Sequence, residues 1–115
     1  MGIWLNDWKN FDIEQLEHAF GLPEKALNDI EIILASYFHG DDTSYAFILF
    51  SRHQALFEVN ASHDSEVDFS GQWQPEETSY EALQFRLTRG RLGQAEASEN
   101  VFADELKTIL NRELQ

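Results

Sequence analysis

The chain has 115 residues, of which 43% are hydrophobic and 13% aromatic, and its formal net charge at pH 7 is −13. This apolar content is sufficient for a packed core, so the composition excludes a disordered chain despite the charge. Cysteine is absent, which excludes disulfides and thiolate metal sites. The length predicts a single domain over residues 1–115.

No segment has the pattern of a targeting or membrane-spanning sequence. The residues Met1–Asp7 lack the basic start and apolar run of a signal peptide. The longest uncharged stretches, Ile32–Gly40 and Thr43–Ser51, are too short to cross a bilayer. We therefore expect a cytoplasmic protein with no membrane partner. The negative charge also argues against direct binding of nucleic acid, because the phosphate backbone would be repelled.

The amino-terminal segment is rich in aromatic residues. Trp4, Trp8 and Phe11 lie at helical spacing, which predicts a lid that docks on the core. An interface patch is the alternative.

A first helix is predicted from about Asp12 to Phe20. Asp12 is the expected N-cap, and Gln15 lies at the capping-box position. Gly21 is expected to close the helix in a left-handed conformation. Pro23–Leu27 could form a further short helical turn, because proline favours the first helical position.

Three strands are predicted next, on the basis of β-branched and aromatic residues. They are Ile30–Phe38, Tyr45–Ser51 and Ala55–Ala61. The continuous apolar run Ala46–Phe50 is typical of a central strand that is covered on both faces. The connecting loops are short enough for hairpins, so we expect an antiparallel meander.

Two helices are predicted after a polar, irregular stretch from Ser62 to Gln74. The first runs from about Pro75 to Thr88, with Thr78 and Glu81 at capping-box spacing, and the second from about Ser98 to Leu114. The predicted fold is α+β, with a three-stranded or slightly larger antiparallel meander packed against helices in two layers. The predicted element order is α-β-β-β-α-α.

The stretch from His53 to Phe85 is rich in carboxylates and contains no lysine or arginine. Uncompensated carboxylates around an aromatic anchor would steer and bind a basic protein. The candidate partner-binding residues are Asp64, Glu66, Asp68, Trp73, Glu76, Glu77 and Glu81. Structural explanations stay open. Trp73 could cover the end of the core, and Glu76 and Glu77 could favour the dipole of a helix as members of its first turn.

The same stretch offers potential cation ligands. His63 lies beside Asp64, Glu66 and Asp68, but the spacing is not that of a calcium loop, and a structural metal site needs about four ligands in fixed geometry. We therefore assign no metal, no cofactor and no catalytic residue. A metal- or small-ligand-dependent enzyme built on His63 and these carboxylates is kept as an alternative.

A group of arginines opposes the general acidity. Arg86, Arg89 and Arg91 lie close together. We favour placement at a helix C-terminus, where cations meet the negative end of the helix dipole, over an anion-binding site.

Several segments carry a resemblance to a known family. They are Tyr45–Phe50, Leu56–His63, Gly71–Thr78 and Glu81–Leu83. They resemble a group of small uncharacterised proteins of bacteria, phages and mobile elements. The pattern of that family is a strand pair ending in Ser-His, a short loop, and Gln-Trp-Glu-Pro-Glu-Glu-Thr before a helix.

The resemblance spans about Ile30–Leu87 and implies a shared domain, with no settled activity. The family typically has Cys-x-Cys directly after Ser-His. Asp64 and Glu66 occupy those positions here, and Gln74 stands where glutamate is usual. The absence of these thiols favours a binding role.

The function predicted from the sequence is a small acidic protein-binding module. Its sharpest form is an inhibitor or immunity-type antagonist of a basic, nucleic-acid-binding partner protein. A structural homodimer, formed through a sheet edge or the amino-terminal aromatic residues, is a further alternative.

Overall fold

The computed structural model describes residues 2–39, 44–63, 69–89, 92 and 101–114. The elements are β1 (Ile3–Asn6), α1 (Ile13–Ala19), β2 (Glu31–His39), β3 (Ser44–Arg52), β4 (Ala55–His63), β5 (Glu76–Thr78), α2 (Tyr80–Thr88) and α3 (Ala103–Glu113). The expected α+β class is confirmed. The chain divides into two compact units, Met1–Glu77 and Thr78–Gln115, and the single-domain interpretation stays a prediction.

The predicted meander is present, but it is part of a larger, mixed sheet. β2 pairs antiparallel with β3, and β3 pairs antiparallel with β4. β1 and β5 extend this meander to a five-stranded sheet in the order β1-β2-β3-β4-β5. The predicted order α-β-β-β-α-α is therefore wrong, because it lacks a strand at the start and another before α2.

The amino-terminal segment is a strand followed by a turn, not a helix. β1 pairs parallel with β2, with Ile3 opposite Leu34. Parallel pairing requires a crossover connection, and the segment that contains α1 supplies it. Trp8 follows in the turn and is only 2% exposed. The aromatic residues therefore do pack on the core, but their spacing does not arise from a helix.

The first helix begins as predicted. The Asp12 side chain accepts a hydrogen bond from the backbone N–H of Gln15 at 2.9 Å, and Gln15 Oε1 accepts one from the Asp12 N–H at 3.1 Å. Gly21 has a φ of +67°, as expected of a helix C-terminus. Pro23–Leu27 is not helical, since Lys25 has a φ of +66°, and the chain forms hydrogen-bonded turns there.

The segment that was predicted to begin a helix at Pro75 forms β5 instead. α2 begins later, and its N-cap is Ser79, whose Oγ accepts a hydrogen bond from the Ala82 N–H at 3.1 Å. The predicted capping box of Thr78 and Glu81 is therefore wrong. Thr78 belongs to the edge strand, and strand pairing outweighed a local helix signal.

The core of the first unit lies on one face of the sheet. Trp8 contacts Phe11, Phe20, Tyr37 and Phe69 with ring centroids 5.4–6.3 Å apart. The middle strand β3 buries every residue of Ala46–Phe50, which confirms that its apolar run belongs to a strand buried on both faces.

The second unit contains α2 and α3, which contact each other. Leu83 of α2 and Leu106, Ile109 and Leu110 of α3 are buried. The last helix begins later than predicted, because Val101 and Phe102 lie in a bend before α3. Residues 98–100 of the predicted helix lie outside the described residues. None of the helices described is long and apolar enough to cross a membrane.

Candidate functional site

The acidic candidates that the structure describes are all exposed. Glu76 and Glu77 lie next to each other in β5, and Glu81 lies in the first turn of α2. Neighbouring residues of a strand point to opposite faces, so Glu76 and Glu77 project from the two sides of the sheet edge. Their predicted role at a helix N-terminus is wrong, because the helix starts after them. Asp64, Glu66 and Asp68 lie outside the described residues.

Ion pairing does not neutralise these glutamates within the part of the chain that is described. Asp29, for example, pairs with Arg52, and the His53 Nε2 lies 3.9 Å from the same carboxylate oxygen. Arg89 is the C-cap residue of α2, and its Cζ lies 4.8 Å from the ring centroid of Phe85. Its predicted place at a helix C-terminus is thus confirmed. Arg91 is outside the described residues.

The proposed cation ligands fall mostly outside the described residues. Only the backbone of His63 is described, at the end of β4. Among the residues that the structure covers, no group of three or more His, Asp and Glu side chains could hold a metal ion.

Trp73 is half-buried and forms part of the aromatic core. Its ring stacks on Phe50, with the centroids 5.6 Å apart and the planes at 15°, and meets Phe20 edge-on at 5.1 Å. The tryptophan therefore covers an end of the core, as one of the alternatives had it. Its outer part remains available, because the ring also lines a cleft.

This cleft, which we call the Trp73 cleft, has a volume of about 80 Å³. Its apolar walls are formed by Leu27, Ile30, Phe50, Phe57, Trp73 and Pro75, and its charged lining residues are Asp29 and Arg52. Pockets that enclose a small-molecule ligand are typically about 300–1,000 Å³. The Trp73 cleft is therefore smaller than a typical small-molecule pocket.

The β3–β4 hairpin forms one wall of the Trp73 cleft. Its two-residue turn consists of His53 and Gln54, with φ values of +51° and +68°. Positive φ at both positions is the type I′ geometry that matches the twist of paired strands. The resulting register places Phe50 opposite Phe57, and the two rings stack at 5.6 Å.

A buried carboxylate holds the opposite wall in place. Glu17 of α1 is only 4% exposed. Its Oε2 accepts a hydrogen bond from the Leu27 N–H at 2.8 Å, and its Oε1 accepts one from the Lys25 N–H at 3.2 Å. These bonds satisfy backbone donors of an irregular turn, which would otherwise be costly to bury.

The segment that carries Trp73 is tied to β4 by Gln72. The Gln72 Oε1 accepts a hydrogen bond from the Ser62 N–H at 3.0 Å, and its Nε2 donates one to the Ser62 carbonyl at 2.8 Å. The side-chain amide therefore acts as a backbone partner for the strand. The Gln-Trp pair of the family-like pattern has a structural role here.

The sequence did not predict the Trp73 cleft. Its lining residues come from separate parts of the chain between Ala26 and Pro75, and neither Asp29 nor Arg52 belongs to a recognisable motif. The only local signal was the tight turn after Arg52, which indicated a hairpin but not what lies beside it.

Comparison of the chain with protein-family models, curated proteins and solved structures found no match. The resemblance to small bacterial and phage proteins therefore stays a prediction. The function has to be inferred from the surface and the Trp73 cleft.

Proposed function

We propose that this protein is a small acidic module that binds a basic partner protein. In its sharpest form, it acts as an antagonist of a nucleic-acid-binding protein. The observation that supports this most directly is the pair of exposed glutamates, Glu76 and Glu77, on an edge strand. No lysine or arginine of the described residues neutralises them.

Electrostatics supply the physical basis. A net charge of −13 on 115 residues produces a negative potential that accelerates encounter with a basic surface. A protein that binds nucleic acid presents cations arranged for phosphates. Fixed carboxylates can occupy those positions and exclude the nucleic acid.

The form of β5 favours recognition through side chains over recognition through strand addition. The strand has only three residues, two of them glutamates. Short, charged edge strands discourage pairing with another sheet. This also argues against a homodimer formed by pairing across that edge.

The test compares two double variants that remove the same charge. We expect Glu76→Gln/Glu77→Gln to weaken binding of a purified basic partner, identified beforehand by affinity capture and mass spectrometry. Glu14→Gln/Glu31→Gln is the control, since both residues are exposed but lie in α1 and β2. Calorimetry at about 0.05 M and about 0.15 M salt should show a strong salt dependence for the wild type.

A displacement assay tests the proposal that the protein is an antagonist of a nucleic-acid-binding partner. The protein should release a fluorescent oligonucleotide from the partner, which would be seen as a fall in anisotropy. A flat salt response, or equal losses in the two double variants, would contradict the proposed function. Binding without displacement would contradict only the antagonist form.

A further inference from the structure

The Trp73 cleft combines two features that recognise the same kind of side chain. Phe57 and Trp73, which are both half-buried, provide aromatic surface, and Asp29 provides a carboxylate among the lining residues. Aromatic faces and carboxylates both bind the planar guanidinium group of arginine. The inference from this combination rests on the proposed function, because it concerns how a basic partner is held.

The Asp29 carboxylate has two side-chain neighbours within the protein. The Arg52 Nε lies 2.9 Å from Asp29 Oδ2, and the His53 Nε2 lies 3.9 Å from the same oxygen. Both of these contacts are made to Oδ2. An arginine fork and a carboxylate can form two parallel hydrogen bonds, so Asp29 is a suitable partner for a guanidinium group.

The ion pair between Arg52 and Asp29 is exposed enough to exchange. The Arg52 side chain is 52% exposed and that of Asp29 is 38% exposed. Exposed pairs of this kind contribute little to stability, because solvent screens them and ordering long side chains costs entropy. A second guanidinium can therefore compete for the carboxylate at small cost to the fold.

We propose that the Trp73 cleft binds an arginine side chain of the basic partner, and that Arg52 occupies the Asp29 carboxylate in its absence. The arginine stem lies along the aromatic walls, and its guanidinium group pairs with Asp29. Charge complementarity favours a cationic occupant, because the chain has a net charge of −13 and the described lysine and arginine residues of the first unit are only Lys9, Lys25 and Arg52.

A small probe tests this inference without the partner. N-acetyl-arginine amide is titrated into the isotopically labelled full chain and followed by NMR, in the millimolar range expected of a single side chain. We expect saturable shifts of the Trp73 indole N–H and the Arg52 Nε–H. N-acetyl-citrulline amide, which has the same shape without the charge, should cause none. Absence of shifts with the arginine probe, or equal shifts with both probes, would overturn the inference.

Substitutions distinguish the role of Asp29 in the Trp73 cleft from that of Arg52. Asp29→Asn should weaken binding of the arginine probe by about tenfold, whereas Glu14→Gln, an equal loss of charge outside the Trp73 cleft, should leave it unchanged. Arg52→Ala removes the competing cation, so binding should tighten by about two- to fivefold. If Arg52→Ala folds but binds the arginine probe with unchanged or lower affinity, Arg52 does not compete for Asp29. Arg52→Lys is a second variant for the same measurement.

The result of the arginine-probe experiment is independent of the salt-dependent partner binding tested under the proposed function. A partner that binds in a salt-dependent way while the arginine probe fails would leave the acidic module in place and remove only the Trp73 cleft as its socket.

Discussion

At the scale of single residues, several polar side chains of this protein substitute for backbone hydrogen-bond partners. Asp12 and Gln15 do so at the start of α1, and the sequence predicted them because the capping-box spacing is local. Glu17 and Gln72 do so across eight to ten residues. The partners of these two residues follow neither helical nor strand periodicity, so no sequence pattern identifies them.

The hydrogen bonds of Glu17 give the first stability prediction. Glu17→Gln places an amide NH₂ opposite a backbone N–H, because both carboxylate oxygens accept hydrogen bonds in the wild type. A buried donor then loses its acceptor. We expect the free energy of unfolding, measured by urea denaturation, to fall by about 1–3 kcal/mol.

Glu14→Gln is the matched control, because Glu14 lies in the same helix but is exposed. Its effect should stay within about 0.5 kcal/mol. Equal effects of the two substitutions would show that the bonds to the turn at Lys25–Leu27 do not contribute to stability.

At the scale of elements, the meander was predictable and the sheet edges were not. β2, β3 and β4 have enough apolar and β-branched residues to be recognised within a single segment. β1 and β5 are short, with four and three residues, and they are strands because a neighbouring strand pairs with them. Trp4 and Glu76 therefore lay in segments whose local patterns indicated helices.

The turn between β3 and β4 gives a prediction for an element. Gln54 has a φ of +68°, a conformation that costs a residue with a Cβ atom roughly 1–2 kcal/mol and glycine almost nothing. Gln54→Gly should therefore raise the free energy of unfolding. The expected net gain is about 0.5–1 kcal/mol, because the entropy that glycine adds to the unfolded chain offsets part of the relieved backbone cost.

Thermal melts of Gln54→Gly and Gln54→Ala separate the backbone effect from loss of the glutamine side chain. Only the glycine variant should have a higher melting temperature. A lower melting temperature for Gln54→Gly would mean that the glutamine side chain stabilises the hairpin more than its backbone conformation destabilises it.

At the scale of the whole molecule, the net charge of −13 should destabilise the folded state by self-repulsion. Raising the salt concentration from about 0.01 M to about 0.15 M shortens the Debye length from about 30 Å to about 8 Å. We expect the melting temperature to rise over this range, and calorimetry in sodium chloride checks it. A flat or falling melting temperature would contradict a net repulsive surface.

The Glu14→Gln/Glu31→Gln variant provides a second comparison. It removes two exposed charges, so its melting temperature should respond less to salt than that of the wild type. The same increase in salt should weaken partner binding. Salt is thus expected to stabilise the protein and weaken the complex, two opposite effects of one charge distribution.

The sequence by itself determined the α+β class, the three central strands, the first helix with its cap, and the acidity on which the proposed function depends. These follow from composition and from short-range periodicity, which act within one segment. The tertiary structure decided that Ile3–Asn6 form a parallel edge strand, that Glu76 and Glu77 lie in a strand, and that Asp29 meets Arg52 beside Trp73. Such features depend on strand pairing and on contacts between distant segments, whose energies no single segment contains.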